Sequence, residues 1–95
     1  MEERVRAHVI VSGLVQGVFF RVTTRDIADD LGLTGLVRNI RSGDVEIIAE
    51  GPREAVERLI SWAHQGPRLS RVDEVQTTWE EATGEYARFD VARTT

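Results

Sequence analysis

Residues 13–21 read G-L-V-Q-G-V-F-F-R, and Arg21 is the only charged residue among them. A guanidinium is a rigid fork of donors that matches the oxygens of a phosphate. None of Ser, Thr, Asp or Asn occurs from Gly13 to Phe20, so a helix that starts near Phe20 or Arg21 has no ordinary capping side chain. The first backbone N–H groups of that helix then need another acceptor. Gly13 and Gly17 can take backbone angles closed to other residues, which lets successive N–H groups converge on one point. Converging N–H groups at a helix N-terminus make an anion site. Arg21 in the first turn opposes the helix dipole by about 0.3–1 kcal/mol, and a bound dianion would reverse that sign. Asp29 and Asp30 also sit against the dipole, at the other end, and an Arg25–Asp29 pair at i,i+4 accounts for them without a ligand.

A plainer reading of the same segment is a tight connection whose Val15, Val18, Phe19 and Phe20 plug one end of a core. Two glycines alone do not decide between the two. The segment is not a Walker loop, because no Gly-Lys-Ser/Thr follows it.

Asn39, in G-L-V-R-N, is the second residue of interest. Its carboxamide offers an acceptor and two donors without charge, enough to hold a water beside an anion. A lone Asn is more often a turn or edge residue satisfied by backbone, and a lone Arg is more often a surface charge. Only a shared location would lift Arg21 and Asn39 above those readings.

That location follows from the elements that carry them. Val5, Ala7, Val9 and Val11 alternate, which predicts a half-buried strand over 5–12. Phe20, Thr24, Ile27, Ala28 and Leu31 fall at helical spacing, with Gly32 as a stop. Residues 34–41 form a second strand, Ser42-Gly43-Asp44 a turn, and 45–50 a third strand. Gly51-Pro52 opens a second helix with the stripe Val56, Leu59, Ile60 and Ala63, and Gly66-Pro67 closes it. Strands are expected over 71–80 and 86–92, with a turn at 82–85. The order β-α-β-β-α-β-β, with right-handed crossovers, places both helices on one face of a mostly antiparallel sheet. This is a ferredoxin-like α/β sandwich of the α+β class, βαββαβ with an extra C-terminal strand. Strands one and two then run parallel with the third between them. Arg21 and Asn39 follow the same end of the sheet, on backbones about 10 Å apart.

Size and composition narrow the classes. The 95 residues suit one domain spanning 1–95, and 41% hydrophobic with 29% charged residues is ordinary folded protein. No apolar run approaches the roughly 20 residues of a membrane span, so no membrane partner is expected. Met1-Glu2-Glu3-Arg4 lacks the layout of a secretory signal. There is no cysteine, which excludes disulfides and thiolate metal sites and makes the cytoplasm the expected location. The net charge of −4 disfavours nucleic acid as a partner. An RNA-binding sheet of this topology also needs surface aromatics, and the third strand, D-V-E-I-I-A-E, has none. His8 and His64 are too far apart in sequence to suggest a site. His8 is expected on a strand face and His64 near the end of the second helix. Residues 1–4 and 93–95 are expected to fray.

At this point the sequence resembles the acylphosphatases, enzymes that hydrolyse the carboxyl–phosphate bond. Gly13, Val15, Gln16, Gly17, Val18, Phe20 and Arg21 match the family's first motif, G-x-V-Q-G-V-x-F/M-R. Gly35, Val37, Asn39, Gly43, Val45 and Gly51 match its second, while Leu36 stands where an aromatic is usual. That departure bears on packing near the site and leaves the arginine and asparagine in place. The resemblance implies Arg21 and Asn39 as catalytic residues, the first binding phosphate and the second orienting the attacking water. It implies the backbone of Val15, Gln16, Gly17, Val18, Phe19, Phe20 and Arg21 as the phosphate cradle. It further implies a small acyl phosphate as substrate, inorganic phosphate or sulfate as a bound anion, no metal, no cofactor, and a monomer. A regulatory domain of the same fold that has lost activity is the remaining alternative, and intact Arg21 and Asn39 speak against it.

Overall fold

In the computed structural model, which describes residues 3–95, Val5, Ala7, Val9 and Val11 are buried and the residues between them half-buried. Their strand, β1, spans Arg4–Leu14, and α1 follows at Phe20–Asp30. Then come β2 (Thr34–Asn39), β3 (Val45–Pro52), α2 (Arg53–Gln65), β4 (Arg71–Glu81) and β5 (Phe89–Val91). The sheet order is β4-β1-β3-β2-β5. Three neighbouring pairs are antiparallel and β2–β5 is parallel. Both helices cover one face, as the ferredoxin-like arrangement requires, and β3 lies between β1 and β2.

The core lies between that face and the helices. It takes Val9, Val11, Val37, Val45 and Ile47 from the sheet, Ala28 from α1 and Leu59 from α2. Phe20, the first residue of α1, is buried with its ring 5.3 Å from that of Trp62 on α2. The opposite face is open, and polar side chains pair across it. His8 Nε2 lies 2.6 Å from Glu46 Oε2, and Arg38 holds the other oxygen of the same carboxylate. His64 is near the end of α2, its Nδ1 3.0 Å from the Ile60 carbonyl oxygen.

Three expectations need correction. The last strand is three residues long, not seven, because 82–88 leaves the sheet edge to cross the open face. Neither end is loose where it is described: Arg4 pairs with Pro52 in the sheet, the Arg41 N–H donates to the Thr95 carbonyl at 2.8 Å, and the Thr95 N–H donates to the Asn39 carbonyl at 3.1 Å, while residues 1 and 2 lie outside the described residues. Arg25 contacts Asp26 at 3.3 Å instead of pairing with Asp29.

The crossing segment has a charged reason. Alternation puts Glu50 on the open face, yet it is fully buried. It takes hydrogen bonds from the Thr83 N–H at 2.9 Å, the Gly84 N–H at 3.0 Å and Arg6 Nε at 2.6 Å. Arg6 also reaches Glu85 and lies 5.3 Å over the Tyr86 ring. Burial alone would raise the Glu50 carboxyl, but these donors outweigh it and hold it down at about 2. A carboxylate held below its ordinary value of 4.5 stabilises the fold above that pH and loses the contribution as pH falls towards 2. The shift corresponds to about 3 kcal/mol. Glu50→Gln should therefore lower the urea midpoint at pH 7 and flatten the acid limb. If urea titrations at pH 7 and pH 3 show the variant and parent losing stability in parallel, the charge on Glu50 is not what secures the segment.

Candidate active site

β1 ends with a slip in its register against β4, between Ser12 and Gly13. A Cβ on Gly13 would lie 2.1 Å from the Arg71 carbonyl oxygen, so only glycine lets β4 pass this close. The chain then turns through Gly17, at φ 76°, and Phe19, at φ 64° and ψ 21°. Phe19 is the N-terminal flanking residue of α1 and gives it no side-chain cap. Instead the Thr23 hydroxyl donates to the Phe19 carbonyl at 2.8 Å and the Thr24 hydroxyl to the Phe20 carbonyl at 2.7 Å, which fixes the first turn.

Among the described residues, no protein acceptor takes a hydrogen bond from the backbone N–H groups of Val15 through Val22. Eight successive donors are thus left for something other than the chain. The apolar side chains of the same stretch behave differently. Val15 and Phe20 are buried, and Val18 packs against the core. The apolar plug and the run of unpaired amides coexist, one made by side chains and the other by main chain.

Val15, Gly17, Phe19, Phe20, Arg21 and Val22 line a cavity of about 310 Å³. Arg21 makes no ion pair or hydrogen bond among the described residues, in a chain where most arginines have an acidic partner. Asn39 does not line this cavity, but it stands at the same end of the sheet. It pairs with Val45 on β3, which pairs with Val11 on β1. Asn39 is 9% exposed, and its Oδ1 is buried without a donor. Such an orphan acceptor costs about 1–3 kcal/mol, which a water or ligand donor would recover. Leu36, the departure from the family pattern, sits across from Ile48 on the open face, opposite to Asn39's side of the sheet.

One connection was not visible in the sequence. The Gln16 side chain donates from Nε2 to the carbonyls of Ile40 and Asp44, both at 2.9 Å. These carbonyls flank the turn after Asn39, so Gln16 clasps the loop to the strand end that carries the asparagine. The only hint was a polar side chain among apolar ones, in V-Q-G-V. Among the described residues, no group of three or more His, Cys, Asp or Glu is placed to bind a metal ion.

The acylphosphatase family model matches residues 7–91. The chain belongs to the acylphosphatase family. An acylphosphatase from Pelotomaculum thermopropionicum is 53% identical over 89 residues, covering 94% of this chain and 97% of that protein. The crystal structure of the acylphosphatase from Bacillus subtilis aligns with a TM-score of 0.89 at 34% identity, over 93% of this chain and 98% of that one. The Coxiella burnetii acylphosphatase gives 0.85 at 43% identity, over 95% and 94%. As an acylphosphatase, the protein is a hydrolase of acyl phosphates, and no described helix is long and apolar enough to cross a membrane.

The Gln16 clasp sets a measurable expectation. Gln16→Ala removes two hydrogen bonds, each worth about 1 kcal/mol. The urea midpoint should fall by the equivalent of about 2 kcal/mol, and Gln16→Glu, which turns a carboxylate towards two carbonyls, should fall at least as far. A midpoint unchanged in both variants would mean the clasp holds nothing.

Proposed function

We propose that the chain is a single-domain acylphosphatase that works without a metal ion, with Arg21 and the Val15–Arg21 backbone binding the phosphoryl group and Asn39 holding the water. The observation that carries this reading is the run of N–H donors from Val15 to Val22 without an acceptor, beside an arginine without a partner. An acyl phosphate has a good leaving carboxylate, so position and charge stabilisation matter more than a strong base. The phosphoryl group spreads negative charge over its equatorial oxygens as it transfers. Arg21 offers them a planar fork, and the loop amides offer the remaining donors. The buried Asn39 Oδ1 accepts a hydrogen bond from a water aimed in line at phosphorus. The water oxygen bonds to phosphorus, the bond to the acyl oxygen breaks, and the carboxylate leaves with the bonding pair. The water's proton passes to a phosphoryl oxygen, which yields inorganic phosphate. Inorganic phosphate or sulfate should occupy the same cradle. A monomer in the cytoplasm completes the reading, in keeping with a chain that has no cysteine; light scattering at the mass of two chains would remove the first half of it.

Phosphate release from benzoyl phosphate tests the assignments. Arg21→Lys should lose at least about a hundredfold in kcat/KM, since an ammonium cannot reproduce the fork. Turnover near that of the parent would count against Arg21. Asn39→Ala should lower kcat while inhibition by inorganic phosphate stays close to the parent's. If that inhibition collapses instead, Asn39 binds phosphate and does not hold the water. Prolonged treatment with a chelator should leave kcat unchanged. A loss restored by added Mg²⁺ would refute the metal-free scheme.

A further inference from the structure

Phe19 is the described residue outside glycine with a positive φ, and it is also 74% exposed. Both facts work against folding. A bulky side chain in the left-handed region is an outlier that glycine or asparagine would relieve. An aromatic ring in solvent contributes little burial to offset it. Backbone strain of this sort, where packing does not explain it, points to function. The side chain stands at the lip of the cavity that Arg21 lines, with Val22 beside it, itself 43% exposed. Single exposed apolar residues are unremarked on a protein surface, but a group around one cavity is not.

The cavity is also larger than a phosphoryl group. At about 30 Å³ for a water-sized group, the four oxygens of a phosphate take on the order of 120 Å³. More than half of the 310 Å³ remains for the rest of a substrate, in a cavity that Phe19 and Val22 help to line. In an acyl phosphate the acyl group is covalently joined to the phosphoryl group, so it lies within a few ångströms of the residues that line this cavity.

We propose that Phe19 and Val22 form an acyl subsite, and that the enzyme selects acyl phosphates with an aryl or branched aliphatic acyl group over acetyl-sized ones. This rests on the reading of the loop as the phosphoryl cradle. The subsite is an open edge and not a closed pocket, so it favours apolar acyl groups of varied shape without fixing one. Phe19 and Val22 are specificity residues, contributing by contact with the acyl group and not by chemistry at phosphorus.

The test is the ratio of kcat/KM for benzoyl phosphate to that for acetyl phosphate. Phe19→Asn keeps a residue that tolerates the left-handed region and removes the ring. Val22→Thr keeps the β-branched shape on the helix and removes apolar surface. An aromatic contact is worth about three- to tenfold. The ratio should fall by that factor in Phe19→Asn and by a smaller one in Val22→Thr, with inhibition by inorganic phosphate in Val22→Thr held near the parent's value. A ratio within twofold of the parent's in both variants overturns the proposal, and so does an equal fall for both substrates, which would make Phe19 a shaper of the loop alone. Failure of the underlying cradle reading looks different: Arg21→Gln would then keep its sensitivity to inorganic phosphate, whatever the substrate ratio does.

Discussion

β3 holds the C-terminal ends of β1 and β2 apart by two strand spacings, and the site has to be built across that gap. The loop after β1 and the asparagine at the end of β2 cannot touch through the sheet. They communicate over its end, where the Gln16 carboxamide bridges to the carbonyls of Ile40 and Asp44. The separation is an advantage for a hydrolase. On the proposed reading, a phosphoryl group seated on the loop side leaves room on the strand side for a water approaching in line. A loop and an asparagine on adjacent strands would crowd the same volume.

The loop solves a second problem, which is how to keep amide donors free at the edge of a core. Main-chain N–H groups without partners are costly when buried, and a loop that simply collapsed would satisfy them internally. Here Val15, Val18 and Phe20 take the interior, and their burial pins the chain in a path that leaves its amides without chain acceptors. Gly17 and Phe19, both with positive φ, set that path. The apolar side chains therefore do more than fill space. They prevent the loop from relaxing into a turn that would use up its own donors.

Much of this was legible before any coordinates. The period-two run from Val5 to Val11, the helical stripes and the turn residues gave the strand and helix order, and the crossover rule gave the sheet. The absence of a capping residue before α1 pointed to free amides. What the sequence could not disclose were contacts between residues far apart in the chain. Gln16 shows no preference for Ile40 that a local pattern could reveal. Glu50 reads as the solvent half of an alternating strand, and only the return of 82–88 across the open face buries it. That same return shortened the last strand, because Glu85 and Tyr86 lie against Arg6 on the open face and the chain rejoins the sheet only at Phe89. The Thr95 bonds to Asn39 and Arg41 have the same character.

The two ends of the sheet are stabilised in different ways, and the difference fits the proposed chemistry. At the end away from the loop, a buried carboxylate is saturated by an arginine, two backbone amides and a hydroxyl, and it gains stability from all of them. At the loop end the polar inventory is left unsatisfied: eight amides, one guanidinium and one buried carboxamide oxygen. Saturating that end internally would stabilise the fold and remove the donors that a transferring phosphoryl group needs. Conversely, leaving Glu50 unsatisfied would endanger the fold without creating a site, because the crossing segment covers it. A small domain has limited stability to lose. Placing the saturated cluster at one end of β3 and the open one at the other lets one sheet carry both.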